Sequence, residues 1–181
     1  MTNRKKVVIV GPAFPLRGGI ANFNEALSRE MNLKGYETEL VSFSYQYPKF
    51  LFPGNTQFAD GKGPEDLKIF TRINSVNPLN WTKTANFIAS LKPDYVIIRF
   101  WLPFMGAALG TIAGKLRKKG VKVLAITDNV IPHESRLGDR WLTKYFLKRC
   151  DGFITLSKSV LEDISQFTDN QNKIMLPHPV Y

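Results

Sequence analysis

The sequence predicts an α/β fold, a Rossmann-like, doubly wound, mainly parallel sheet of about seven strands. Short apolar runs rich in Val and Ile recur along the chain, as strands buried on both faces require. Segments of helix length separate nearly all of them, which implies parallel strands joined by crossover connections. The punctuation is Gly, Pro and Asn, with no internal repeat, low-complexity tract or linker.

The first strand is "KKVVIV" (5–10), continuous and β-branched. Ile20, Phe23, Leu27 and Met31 follow at helical spacing, which predicts a helix with that face inward, closed by Gly35. "YETELVSFS" (36–44) is a second strand, and residues 45–65, with Pro48, Pro53, Gly54, Gly61, Gly63 and Pro64, read as a loop. "DLKIFTRI" (66–73) is a third strand. Asn77-Pro78 supplies an N-cap and a first-turn proline for a helix that turns Trp81, Ala85, Ile88 and Leu91 to one side. "YVIIRFW" (95–101) is a strand, and Pro103 to Lys119 is an alanine- and glycine-rich helix stopped by Gly120. "VKVLAIT" (121–127) is another buried strand, followed by a basic amphipathic helix from Gly138 to Arg149. "GFITLS" (152–157) precedes a helix for which Ser159 and Glu162 form a capping box, with Val160, Leu161, Ile164 and Phe167 inward. "KIMLP" (173–177) ends with a short strand. The order is β-α-β-β-α-β-α-β-α-β-α-β.

At 181 residues and 44% hydrophobic, the chain suits one domain with a real core. A single cysteine, Cys150, excludes an intramolecular disulfide framework and fits a reducing compartment. No apolar run reaches about 18 residues, and the basic start passes into a strand too short for a signal core. A cytoplasmic protein is expected. Lys and Arg number 25 against 15 acids, a formal charge of +10, which calls for an anionic partner. Nucleic acid, an acidic membrane surface and a phosphorylated ligand all qualify. Helix-turn-helix, zinc-finger and RNA-recognition patterns are lacking, so nucleic acid is not expected.

Ligands in doubly wound sheets sit outside the carboxyl ends of the strands. After the first strand comes Gly-Pro-Ala-Phe-Pro-Leu-Arg-Gly-Gly-Ile, which has neither the spacing of G-x-G-x-x-G nor the Gly-Lys-Ser/Thr of a P-loop. What remains is Gly18 and Gly19 exposing backbone N–H groups at a helix N-terminus, where an anion is favoured. A turn that merely needs positive φ is the competing reading. Arg99 ends an otherwise apolar strand and must pair with a ligand anion or a carboxylate, so a structural salt bridge is equally open. "DNVIPHESR" gathers Asp128, Asn129, His133, Glu134 and Arg136 within nine residues, the densest catalytic candidate. A capping role for Asp128 or Glu134 competes with it. His133, His178 and Cys150 have no zinc-type spacing, so no metal is expected. No Gly-x-Ser-x-Gly elbow occurs.

Taken in order, these segments resemble the N-terminal domain of family 4 GT-B glycosyltransferases along the whole chain. "RGGIANFNEAL" is similar to the family's glycine-rich first loop, which implies that Arg17, Gly18 and Gly19 approach the donor diphosphate and the acceptor. "PDYVIIRFWLP" and "TDNVIPHE" resemble the Pro-Asp strand segment and the acceptor-side loop. The resemblance thus implies Arg99, Trp101 and Asn129 as acceptor contacts and Asp128, His133 and Glu134 as catalytic candidates. Many members carry histidine directly after the fifth strand, where this chain has Asp128; either Asp128 or His133 takes that role. "CDGFITLSKSVLEDI" resembles the family's segment of apolar strand, Ser and helix, and "KIMLPHPVY" resembles the run that leads into the interdomain linker.

The resemblance implies one half of a GT-B fold, residues 1–181 forming the acceptor-side domain. The nucleotide-sugar-binding domain is expected to be absent from this chain, which would leave it inactive alone. The implied reaction is retaining transfer from a nucleotide-sugar to a glycan or lipid-linked acceptor, with no metal or other cofactor. Cell-surface polysaccharide or glycolipid synthesis is the implied setting. Arg136, Arg140, Lys144 and Lys148 recur every four residues beside Trp141, Leu142, Tyr145 and Phe146, and "FSYQYPKFLF" (43–52) adds aromatics. Related enzymes with lipid-linked acceptors rest such a surface on anionic membrane, which implies a peripheral place on its inner face. The competing reading is a solvated basic helix face with the aromatics in the core. A different class, a non-catalytic Rossmann-like anion- or nucleotide-binding module, would need Gly18 and Gly19 but not "DNVIPHE".

Overall fold

A computed structural model of the chain describes residues 4–48, 57–131 and 136–177. Its strands are β1 (Lys6–Val10), β2 (Glu37–Tyr45), β3 (Ile69–Asn74), β4 (Tyr95–Phe100), β5 (Lys122–Thr127), β6 (Gly152–Thr155) and β7 (Lys173–Met175). Its α-helices are α1 (Gly19–Leu33), α2 (Pro78–Ser90), α3 (Gly106–Lys118), α4 (Asp139–Leu147) and α5 (Lys158–Ile164). Among the described residues the strands form one seven-stranded sheet, ordered β3-β2-β1-β4-β5-β6-β7, and every pair in it is parallel. β1 is flanked by β2 and β4, so the direction in which the sheet grows reverses there. A crevice outside the carboxyl ends of the strands belongs at such a switch point.

Alternate residues of β1 serve two cores, which is why it reads as an unbroken apolar run. Val8 and Val10 enter the larger core, with Ala85 and Ile88 of α2, Leu109 and Ile112 of α3, Phe146 of α4 and Ile164 of α5. Val7 and Ile9 enter the smaller one, against Phe23, Leu27 and Met31 of α1. Each fully buried Val, Ile, Leu or Phe contributes roughly 1.5–3 kcal/mol, so the larger core dominates stability.

α1 lies on the sheet differently from expectation. Its buried residues are Ala21, Asn24 and Ser28, while Phe23, Leu27 and Met31 are half-buried at its flanks. Small side chains on the inner stripe admit the helix close to β2, and hydrogen bonds satisfy the polar ones. Ser28 Oγ lies 2.5 Å from Thr38 Oγ1, and the Thr38 N–H donates to Asn32 Oδ1 at 3.0 Å.

Element ends shift for local reasons. β3 begins at Ile69 because Asp66 turns out to Arg29, at 2.6 Å, and Leu67 fills the smaller core. Pro103–Met105 forms a 3-10 turn before α3. α4 starts after Gly138, at φ 93°, and ends at Leu147. Asn77 caps α2 as expected, accepting from the N–H groups of Leu79 and Asn80. The expected Ser159–Glu162 box does not form. Extended Ser157 caps α5 instead, its Oγ accepting from the Val160 N–H at 3.3 Å.

Cys150 is buried, and burial pushes its thiol far up, so it is no nucleophile. Among the described residues no helix is long and apolar enough to cross a membrane.

α3 meets α4 through glycine. A Cβ on Gly106 would stand 2.4 Å from the Leu142 carbonyl oxygen, whereas one on Gly114 would meet only the movable Arg149 side chain, at 3.1 Å. Gly to Ala in a helix ordinarily gains about 0.5–1 kcal/mol, but overpacking against backbone costs about 1–3 kcal/mol. Gly106→Ala should therefore lower the urea midpoint and Gly114→Ala should leave it nearly unchanged. Equal midpoints would show that α3 and α4 are free to separate.

Candidate functional site at the carboxyl edge of the sheet

The loop leaving β1 is tied down residue by residue. Ser42 Oγ, on β2, accepts from the Ala13 N–H at 3.0 Å and donates to the Ala13 carbonyl at 2.8 Å. Asn24 Nδ2 donates to the Pro12 carbonyl at 2.8 Å, and Glu25 Oε1 accepts from the Phe14 N–H at 2.9 Å. The Arg17 N–H donates to the Gln57 carbonyl and the Ala59 N–H to the Pro15 carbonyl, at 2.9 and 2.8 Å. These bonds hold Arg17, Gly18 and Gly19 out at the surface.

Gly18, at φ 124°, is the N-cap of α1, and no side chain caps this helix. Gly19 has no such φ. A Cβ on either glycine would meet nothing within 4 Å. The positive φ explains Gly18 alone. The first-turn amides, which every helix start leaves without an internal acceptor, have no side-chain cap here and suit an anion.

Beside this loop stand the ends of β4 and β5. Arg99, 2% exposed, donates Nε to Asp128 Oδ2 at 2.6 Å and Nη2 to Asp128 Oδ1. Its guanidinium lies 4.2 Å from the ring centroid of Phe23 on α1. A Cβ on Gly11 would stand 2.7 Å from Asn24 Nδ2 and 2.9 Å from Arg99 Cβ, so loop, helix and strand converge there. Among the described residues, Asn24 Oδ1 and Arg99 Nη1 are buried without a hydrogen-bond partner. The salt-bridge reading of Arg99 thus holds, and its partner is the proposed catalytic carboxylate.

Trp101 belongs to the other side of the sheet. Its indole N–H donates to the Tyr47 hydroxyl at 2.5 Å, and its ring stands edge-on to Phe43, centroids 5.9 Å apart. Burial pushes the Tyr47 phenol up, partly offset by the indole bond, which keeps it neutral at ordinary pH. Asn129 Oδ1 accepts from the Ile131 N–H at 3.2 Å, a local turn. The geometry therefore joins Arg99 to Asp128 and does not bring Trp101 to that pair. His133 and Glu134 lie outside the described residues, as do residues 49–52 of the 43–52 aromatic run.

Arg136, Arg140, Lys144 and Lys148 are all exposed along α4 and its ends. Leu137 is fully exposed and Trp141 64% exposed beside them. Phe146 is not part of that surface, because it stacks on Phe100 in the larger core, centroids 4.5 Å apart. The residues that sequence reasoning missed are Gly11, Asn24, Ser42 and Tyr47. For Asn24 a signal existed: Ala21, Asn24 and Ser28 form a small-residue stripe at helical spacing.

Removing one partner of a buried ion pair costs about 3–5 kcal/mol, whereas replacing both by apolar groups is often neutral. Asp128 retains 24% side-chain exposure, so Asp128→Ala should cost about 3 kcal/mol, the lower end of that range. The double change Arg99→Met with Asp128→Leu should recover most of it in urea unfolding. A double variant no more stable than the single would show that Arg99 is held by something other than Asp128.

No curated protein matches the sequence. Solved structures do match the fold. UDP-N-acetylglucosamine 2-epimerase from Rickettsia bellii superimposes with TM-score 0.64 at 14% identity, covering 96% of this chain and 44% of that one. An alpha-glucosyltransferase in complex with UDP-glucose and DNA containing an abasic site gives 0.60 at 11%, covering 97% and 43%. MurG from Acinetobacter baumannii gives 0.53 at 15%, covering 86% and 42%. The chain thus spans less than half the length of each. The sequence profile of Glycosyltransferase Family 4 matches residues 17–179. With the parallel seven-stranded sheet, that match shows that the chain belongs to Glycosyltransferase Family 4, as a Rossmann-like unit of the GT-B fold.

Proposed function

We propose that this chain is the acceptor-side domain of a retaining glycosyltransferase that moves a sugar from a nucleotide diphosphate donor to a glycan or lipid-linked acceptor. The observation that carries this reading is the uncapped start of α1, set beside the Arg99–Asp128 pair at the switch point of the sheet. Breaking the bond between the anomeric carbon and the diphosphate oxygen leaves negative charge on the departing diphosphate. Open amides at Gly19 and the following first-turn residues stabilise that charge without a metal. The departing nucleotide is held by a second domain that faces this edge. Asp128 or His133 receives the acceptor hydroxyl, with Asn129 and Glu134 bounding its approach. Solved neighbours in complex with UDP-glucose and with UDP support a nucleotide-sugar donor.

On this reading the enzyme works in the cytoplasm, on the inner face of the membrane, in cell-surface polysaccharide or glycolipid synthesis. Support comes from the basic row on α4 with Leu137 and Trp141 exposed beside it.

Gly19→Val separates the functional role from turn chemistry, because Gly19 has neither a positive φ nor a close neighbour. In the enzyme paired with its donor domain, this variant should lose at least tenfold in kcat/KM, roughly 1.4 kcal/mol, with little change in melting temperature. Full turnover in a stable Gly19→Val enzyme would remove the diphosphate from the α1 start. Saturable nucleotide binding with no sugar transfer to any acceptor would instead favour a non-catalytic anion- or nucleotide-binding module.

The membrane reading has its own test. Each basic residue held near an anionic bilayer contributes on the order of 1 kcal/mol. Changing Arg136, Arg140, Lys144 and Lys148 to glutamine should release the protein from acidic vesicles while leaving its melting temperature nearly unchanged. Equal binding to acidic and neutral vesicles would reduce the row to a solvated helix face.

A further inference from the structure

At the opposite edge of the sheet from the candidate site, a cleft of about 660 Å³ opens between the carboxyl ends of α3 and α4. Arg117, Lys118, Lys122, Lys148 and Arg149 line it, with Asp151 as the one acid. Two of the five cations are already engaged. Arg117 pairs Nε with Asp151 Oδ1 at 3.0 Å and donates Nη1 to the Lys148 carbonyl at 3.3 Å. Arg149 donates Nη1 to the Tyr145 carbonyl at 2.6 Å and lies over the Tyr145 ring, 3.5 Å from its centroid. Asp151 is fully used, because its other oxygen accepts from the Val123 N–H at 2.9 Å.

Lys118, Lys122 and Lys148 are different. All three are exposed, and none of their ammonium groups has a hydrogen-bond or ion-pair partner among the described residues. A helix carboxyl end carries about half a negative charge. Two such ends and Asp151 together offset about two of the five cations, which leaves about three positive charges around one concavity. A cleft lined by an excess of one sign focuses the potential inside it, and an anion relieves the mutual repulsion of the lysines. Three ammonium groups as mobile point charges suit the several oxygens of a phosphate better than a single carboxylate. The volume falls within the range of small-molecule sites, about 300–1,000 Å³, and leaves room for a substituent on the phosphate.

We propose that this cleft is a second anion site, separate from the candidate catalytic edge, which takes a phosphomonoester or diphosphate group. The group is supplied either by a lipid headgroup, since Lys148 continues the exposed basic row of α4, or by a soluble phosphate compound.

The test is a titration of the ¹⁵N-labelled chain with inorganic pyrophosphate at fixed ionic strength, followed by amide NMR shifts. Saturable shifts are expected at Gly114, Gly120, Val121 and Asp151. The variant K118Q/K122Q/K148Q should weaken this binding at least tenfold while its remaining spectrum superimposes on that of the parent. R136Q/R140Q/K144Q, which alters α4 away from the cleft, should bind as the parent does. Vesicles containing phosphatidic acid, but not phosphatidylcholine vesicles, displace pyrophosphate from the cleft if a lipid headgroup is the source. Failure of both to displace it assigns the site to a soluble phosphate. Shifts confined to residues 18–21, absence of saturation, or unchanged affinity in K118Q/K122Q/K148Q would overturn the proposal.

Discussion

The rest of this structure depends on β1 being buried in the middle of a parallel sheet. With β2 on one side and β4 on the other, its backbone is paired on both edges, and its side chains enter both cores. The chain can leave such a strand only through the crevice at its carboxyl end. The loop to α1 must therefore run where β4 and β5 also end. Ser42, Asn24 and Glu25 meet the polar groups of this loop with side chains from β2 and α1, because no regular ladder is available to it. The uncapped helix start is a consequence of that path, held in position by a rigid frame.

The charges divide between the two ends of the sheet. At the carboxyl edge the buried cation, Arg99, is matched by Asp128, so the free electrostatic resource there is the α1 amide cluster with exposed Arg17 beside it. At the amino edge Arg117 and Arg149 brace the carboxyl end of α4, and three lysines remain without counter-charges. Among the described residues Arg99 is the one buried Lys or Arg, so the positive charge is hardly spent in the interior. The two regions differ chemically, one made of backbone dipoles and one of ammonium groups.

Most of the order of elements was legible in the sequence, because it rests on local physics. β-branched runs favour strands, and a helix can bury apolar residues only at helical spacing. Asn77 before Pro78 caps a helix wherever that pair occurs with an apolar stripe behind it. The glycine pair was legible as a feature but not in its division of labour. Only the path of the loop assigns the positive φ to Gly18 and leaves Gly19 as the first helical residue. Ser159 looked the better cap because Glu162 stands three residues after it, yet the end of β6 at Thr155 puts the extended residue at Ser157.

What the sequence determined by itself was the alternation of strands and helices, the class of fold, and the concentration of polar groups after the strands. Which of those groups meet was decided by the tertiary structure alone. Arg99 and Asp128 are 29 residues apart and touch because β4 and β5 are neighbours in register, with Phe100 opposite Thr127. Trp101 and Tyr47, 54 residues apart, meet because the chain leaving β2 passes the end of β4 on the side of the larger core. Asn24 shares a helical stripe with Ala21 and Ser28, but its bond to the Pro12 carbonyl exists only once α1 is laid against the sheet. Packing chose these partners, and packing is a property of the whole assembly of strands and helices, which no short stretch of sequence contains.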